Sequence, residues 1–288
     1  MKRIIAIILA IFIISLGYSQ NRLTPPSKVK STNKETNVKS NNKLSKKTST
    51  PHSLISNIET INGITVKWNG VTLKQKTAIT ELLNNMVFVE GGDYDSNVIN
   101  IEKPVLYIKA VSSFRIDKYE VTQKLWEAVM GNNPSYFEGE NLPVENVTWD
   151  KCQDFIKKLN RLTGLSFRMP TEAEWEYAAR GGNLSKSYNY SGSNTIENVA
   201  WYGENSGNKT HPVGTKSPNE LGLYDMSGNV YEWTSDKYSS DYNSPRNSSS
   251  YVYRGGGWSS IARYSRVTFR NFNPAAYRGD DLGFRLVL

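Results

Sequence analysis

The sequence predicts an irregular, loop-rich α+β domain, on three observations. Three capped amphipathic helices are readable between residues 122 and 180. Beyond Gly182 helical periodicity fades, and the chain turns rich in Gly, Asn, Ser, Tyr and Trp, as short strands joined by long loops require. Ahead of the helices, Asn62-Gly63 and Asn69-Gly70 sit between short apolar stretches and signal hairpins.

Taken in order, Lys2 and Arg3 precede an apolar run at residues 4–16, too short for a comfortable membrane span. Gly17-Tyr18-Ser19 supplies a small-x-small cleavage pattern, so residues 1–19 read as a secretory signal peptide. The expectation is an exported protein, periplasmic or extracellular, with no transmembrane segment after cleavage. No cysteine lies near the cleavage point for a lipid anchor. Residues 20–52 are Lys, Asn, Ser and Thr with few large apolar side chains, a disordered basic linker by composition. Residues 53–85 read as a small N-terminal extension with strands at 58–61, 64–68 and 71–73 and a helix at 77–84 that turns Ile79, Leu82 and Leu83 to one side.

The main domain is assigned to residues 86–288. Thr122 caps a helix with Leu125, Trp126, Val129 and Met130 inward, ended by Gly131. Thr148 caps a second, whose Cys152, Phe155, Ile156 and Leu159 share one apolar face. The third opens on a capping box, Thr171-x-x-Glu174, and stops at Gly181-Gly182.

Composition excludes several functions. The net charge is +8, yet ten of the 35 basic residues and one of the 27 acidic ones fall in residues 1–50. The remainder is balanced to within one charge, so no basic nucleic-acid groove is expected. The single cysteine, Cys152, rules out an intramolecular disulfide and reads as a packing residue on a helix stripe rather than a reactive thiol. Two histidines, His52 and His211, are too few for a His-rich zinc site or a two-His-one-carboxylate iron triad in the folded domain.

Two stretches invite a chemical reading. The run Gly222-Leu-Tyr-Asp225-Met-Ser-Gly228-Asn229-Val-Tyr-Glu232-Trp233 offers carboxylates at Asp225 and Glu232 and carbonyls at Gly228 and Val230, the oxygen set a hard cation needs. An Asp-Ser-Gly-Asn turn is common, so on composition alone this is a weak calcium signal. The second stretch is Arg254-Gly-Gly-Gly-Trp258, followed by Arg263, Arg266 and Arg270 and by Gly283-Phe-Arg285. Its arginines suit either ligand recognition or bracing of a loop-rich core against carboxylates such as Glu174 and Glu176, and bracing is the simpler reading for most of them.

These pieces, with Met-Val-Phe-Val-Glu-Gly-Gly at 86–92, Tyr119-Glu-Val-Thr-Gln and Arg168-Met-Pro-Thr-Glu-Ala-Glu-Trp-Glu-Tyr-Ala-Ala-Arg-Gly-Gly182, resemble in order and spacing the formylglycine-generating enzyme (sulfatase-modifying factor) family. The resemblance covers about residues 86–288 and implies that family's irregular fold, related to C-type lectins. In its enzymes two cysteines bind copper(I) and, with oxygen, oxidise a substrate cysteine to formylglycine. Aligned on Trp258, those cysteine positions fall at Ser260 and Ser265, and the family's preceding serine is Gly257. Hydroxyls do not replace thiolates on copper(I), so copper and the oxidase chemistry are not expected.

The resemblance also implies a structural calcium site at Asp225, Gly228, Val230 and Glu232, and a second starting at Asn198 and Val199 whose acidic partner has no clear counterpart in the loop 203–209. The leading expectation is a non-oxidase binding or scaffold member using the former active-site surface. Trp258, Tyr264, Arg263, Asn271 and Tyr277, with Phe272 and Asn273, would meet a protein, peptide or carbohydrate ligand; the alternative is that they pack the domain, and for Trp258 the two readings weigh equally. The alternatives are surviving formylglycine-generating oxidation, or another enzyme of the family acting on a protein substrate, including a serine nucleophile with His211 as base.

Overall fold

The computed structural model describes residues 57–100, 103–239 and 248–288. The stretches read as a signal peptide (1–19) and a linker (20–52) lie outside the described residues, as do residues 53–56 of the expected extension. The first described elements are an antiparallel hairpin, β1 (Ile58–Ile61) and β2 (Ile64–Lys67), turned by Asn62-Gly63 with both residues at positive φ. Helix α1 spans Leu73–Asn85. The stretch expected as a third strand at 71–73 instead opens this helix. Thr72 accepts from the Gln75 amide while the Gln75 side chain reaches back to the Thr72 amide, a capping box that outweighs the local β-propensity.

β3 (Met86–Val89) pairs antiparallel with β6 (Phe114–Asp117), and between them a long hairpin is formed by β4 (Gly92–Asn100) and β5 (Lys103–Val111). Helices α2 (Gln123–Met130), α3 (Trp149–Thr163) and α4 (Glu172–Ala179) follow, capped at Thr122, Thr148 and Thr171 as the sequence predicts. Gly131 and Gly164 end the first two in the left-handed conformation. A four-residue helix, α5 (Ile196–Val199), lies in the loop-rich second half.

That half is organised by one four-stranded sheet in the order β10–β7–β8–β9, comprising β7 (Tyr231–Lys237), β8 (Ser250–Arg254), β9 (Arg270–Pro274) and β10 (Leu282–Phe284). β10 runs parallel to β7, and the other pairs are antiparallel. Because neighbours on a strand face opposite ways, the sheet separates two environments. Tyr231, Trp233, Tyr253, Leu282 and Phe284 join the main core with α1, α2 and α3. Glu232, Arg254 and Arg285 face the opposite way and are fully buried. Gly283 is confined to glycine by space, since a Cβ there would lie 2.3 Å from the Val144 carbonyl.

Residues 57–85 contribute Ile64, Val66, Trp68, Ile79 and Leu83 to that same main core. Cys152 is wholly buried in it, and burial pushes its thiol well up, so it packs as the helix stripe predicts.

Candidate functional site

The site is a cleft of about 310 Å³ at one end of the sheet, lined by Tyr231, Tyr253, Ser259, Ser260, Ile261, Tyr264, Asn271, Tyr277, Asp281 and Leu282. Its floor is Tyr231 on β7 and Tyr253 on β8, whose rings meet edge to face with centroids 5.1 Å apart. Tyr264 comes from a short 3₁₀ turn, Ala262–Ser265, and Tyr277 from the loop after β9. Both stay exposed, at 38% and 43%, and form the walls.

The polar groups of the cleft are tied into its walls. The Ser260 hydroxyl accepts from the Gly257 amide (3.0 Å) and donates to the Tyr231 hydroxyl (3.1 Å). The Ser259 hydroxyl donates to Asp281 (3.1 Å), and Asn273 donates to the Tyr253 hydroxyl (3.0 Å). Burial pushes the Tyr231 and Tyr253 phenols up, with Asp281 nearby adding to the effect. Burial also raises the Asp281 carboxyl, which the Ser259 hydrogen bond only partly offsets.

The sequence-predicted residues divide. Ser260, Tyr264, Asn271 and Tyr277 are brought together in the cleft. Trp258 is 7% exposed, donates to the Asp280 carbonyl (2.8 Å) and meets Phe137 edge to face, so it packs beneath the site. Arg263 is exposed and does not line the cleft. Phe272 stacks on Tyr238. Ser265 is fully buried below the glycine turn, where a Cβ on Gly256 would lie 2.5 Å from its Oγ. A serine at Gly257 would be tight, since its Cβ would meet Asp281 at 3.0 Å.

Sequence reasoning missed Tyr231, Tyr253, Ser259 and Asp281. Strand alternation around Glu232 and Arg254 was the available signal for the two tyrosines. His211 does not reach Ser260 as a base: its Nε2 is hydrogen-bonded to the Ser206 carbonyl (2.7 Å) and its ring stacks on Trp201 at 3.8 Å.

Most of the arginines brace the interior. Arg254 pairs with Glu176 (2.8 Å), Arg270 with Glu172 (2.7 Å) and Arg285 with Glu232 (2.7 Å). Glu174, named as a brace, instead takes Arg168.

The expected calcium residues lie on the charged face. Asp225 is buried at positive φ; its Oδ2 accepts from the Gly214 amide (2.7 Å), and its Oδ1 has no hydrogen-bond partner. Both Glu232 oxygens accept from Arg285, and Oε2 also accepts from the Trp175 indole (2.7 Å). Val230 and Asn229 donate to Glu120. Asp225 thus fits a cation, whereas Glu232 reaches one only by giving up a present donor. Among the described residues no group of three His, Cys, Asp or Glu side chains is arranged as a metal cage. At the second site, the Asn198 carbonyl accepts from the Ser217 amide.

The family model of the sulfatase-modifying factor enzyme 1-like domain matches residues 72–288. The chain therefore belongs to that family, as its motifs implied. It is 34% identical over 268 residues to the chaperone protein LppX of Paenibacillus barcinonensis, covering 76% of this chain and 94% of that one. It is 34% identical over 181 residues to the inactive C-alpha-formylglycine-generating enzyme 2 of Mus musculus, covering 57% of this chain and spanning about half (55%) of that relative's length. Among solved structures, Treponema denticola variable protein 1 superposes with a TM-score of 0.64 at 31% identity, covering 80% of this chain and 97% of that one.

Proposed function

We propose that this protein is a non-oxidase member of its family, a binding protein whose tyrosine cleft takes a peptide segment of a protein partner. The observation that carries the reading is the state of the family's first cysteine position. Ser260 there presents a hydroxyl already committed to the Gly257 amide and Tyr231, inside a cleft that four tyrosines line together with Ser259, Asn271 and Asp281. Tyrosine faces with a few fixed polar groups give contact area at low entropic cost, as recognition surfaces use them. The resemblance to a relative named as a chaperone and to one named inactive supports the same direction.

The test is mass spectrometry of a sulfatase-motif cysteine peptide incubated with the purified protein, copper(I) and oxygen. No conversion to formylglycine is expected from the wild type, and conversion would overturn the proposal. A glycan array run in parallel covers the carbohydrate alternative, where saturable binding that Tyr264→Ala abolishes would replace a peptide with a sugar.

Two further parts of the reading go with it. Export, to the periplasm or beyond the cell, is supported by the charged, apolar and small-residue order of residues 1–19, and a mature N-terminus at Gln20 by mass spectrometry is the expected outcome. A structural calcium ion at Asp225 is supported by its buried, unpartnered Oδ1. Asp117, Glu120, Asp225 and Glu232 are all buried near the single guanidinium of Arg285, an excess of negative charge that a cation would balance.

A further inference from the structure

The cleft carries an acidic edge. Asp281 lies at its edge, and among the described residues no Lys or Arg pairs with it; its side-chain partner is the neutral hydroxyl of Ser259. Behind it, Glu145 is fully buried, with Oε1 accepting from the Tyr136 and Phe137 amides and Oε2 without a partner. Asp280 adds a third carboxyl to the same neighbourhood. The flanking cations Arg263 and Arg278 are exposed and do not line the cleft.

Elsewhere in this domain three buried carboxylates, Glu172, Glu176 and Glu232, each meet an arginine. A partly buried carboxylate left without a cation, in a cleft that four tyrosines line, is electrostatically complementary to a positive group. The ring faces carry negative charge density that attracts ammonium and guanidinium groups, and the carboxylate supplies the counter-charge through a charge-assisted hydrogen bond. The volume of about 310 Å³ suits one long side chain rather than a folded surface.

We infer that the cleft is a receptor for the cationic side chain of a peptide, lysine or arginine, with the charged head between the rings of Tyr231, Tyr253, Tyr264 and Tyr277 and ion-paired to Asp281. This rests on the peptide-binding reading above and sharpens it to a ligand class. Ile261, 57% exposed at the rim, gives apolar surface to the flanking peptide backbone.

The experiment uses the full chain and five immobilised pentapeptides, Ac-Gly-Gly-X-Gly-Gly-amide, with X as lysine, arginine, acetyl-lysine, norleucine or glutamate, and binding read by surface plasmon resonance. Lysine and arginine peptides are expected to bind at least tenfold more tightly than the acetyl-lysine and norleucine peptides, with glutamate weakest. Asp281→Asn is expected to erase that preference. Tyr264→Leu, a change in an exposed wall, is expected to weaken both cationic peptides, with thermal melting as the check on folding. Equal binding of lysine and acetyl-lysine peptides would overturn the cation inference and leave peptide binding standing. No binding of any peptide at millimolar concentration would overturn both.

Discussion

On one face of the β10–β7–β8–β9 sheet, Arg254 and Arg285 are fully buried and each meets a carboxylate at hydrogen-bonding distance. On the other, at the cleft end, Asp281 stands beside tyrosines with no cation among the described residues. Consecutive residues make the division: Tyr231 belongs to the cleft and Glu232 to the charged interior, and Tyr253 and Arg254 divide the same way. On the charged face Arg254 and Arg285 are each held by a carboxylate, which serves stability. The opposite face joins the main core except at the cleft end, where Asp281 has only the Ser259 hydroxyl as side-chain partner. Substitutions on the two faces are therefore expected to separate folding from binding.

The largest effect is expected from Arg285→Met. Removing one partner of a buried pair leaves an uncompensated charge and costs about 3–5 kcal/mol. Arg285 also faces Asp117 and Glu120, so its loss strands several carboxyls at once. Glu232→Gln is expected to cost less, because Arg285 keeps those neighbours and its bonds to the carbonyls of Asp117, Lys118 and Tyr224. Urea denaturation of the two variants measures the difference. Equal midpoints would mean that the four carboxyls do not act as one charged group.

Next in size is calcium. A ligand bound only by the native state at a hundred times its Kd stabilises it by about 2.7 kcal/mol. Chelator is expected to lower the melting temperature of the wild type and to leave Asp225→Asn unmoved. A wild type indifferent to chelator would remove the ion and leave protons to neutralise the cluster, in line with Asp117 being pushed up to about 7 and Asp225 to about 6, mainly by burial.

Glu145 sharpens the comparison by pH. Burial, with Asp280 and Asp281 nearby, raises its carboxyl to about 7. A carboxyl raised on folding holds its proton longer in the native state. Its contribution is therefore fully present below the unfolded value near 4.5, falls as pH rises, and is exhausted above about 7. The slope in that window is bounded by one proton, about 1.4 kcal/mol per pH unit. Glu145→Gln keeps an acceptor for the Tyr136 and Phe137 amides and is expected to flatten stability between those limits. A slope unchanged in the variant would assign the titration to other carboxyls.

The parts of this arrangement legible in the sequence were those with local signals. Thr122, Thr148 and Thr171 announced their helices because a cap is a contact within three residues. The family motifs identified the fold because they hold its fixed backbone, Gly283 against Val144 being one such point. The cleft was half legible. Ser260, Tyr264, Asn271 and Tyr277 fell within the motif neighbourhood, but Tyr253 and Asp281 reach the same space only through the pairing of β7, β8 and β10. Trp258 is open between ligand platform and packing in the sequence, because the ring packed on it, Phe137, lies far away in the chain. The α1 capping box is also written in the sequence, at Thr72 and Gln75, but it overlaps the short apolar stretch after Asn69-Gly70 that suggests another strand.

The smallest expected change in stability belongs to the cleft wall, where it tests the division of labour between the two faces. Tyr277 is 43% exposed, and deletion of its hydroxyl alone, Tyr277→Phe, is expected to shift stability by no more than about 0.5 kcal/mol. If the ring face is what meets a cation, Tyr277→Phe keeps binding of the lysine pentapeptide within about threefold, since phenylalanine retains most of the attraction. Tyr277→Ala removes the face and is expected to lose that binding while melting within a few degrees of the wild type. A Tyr277→Phe variant that binds as poorly as Tyr277→Ala would shift recognition from the ring to the hydroxyl and turn the cleft into a hydrogen-bonding site. Loss of folding in Tyr277→Ala would instead return this tyrosine to the interior, on the same footing as Trp258.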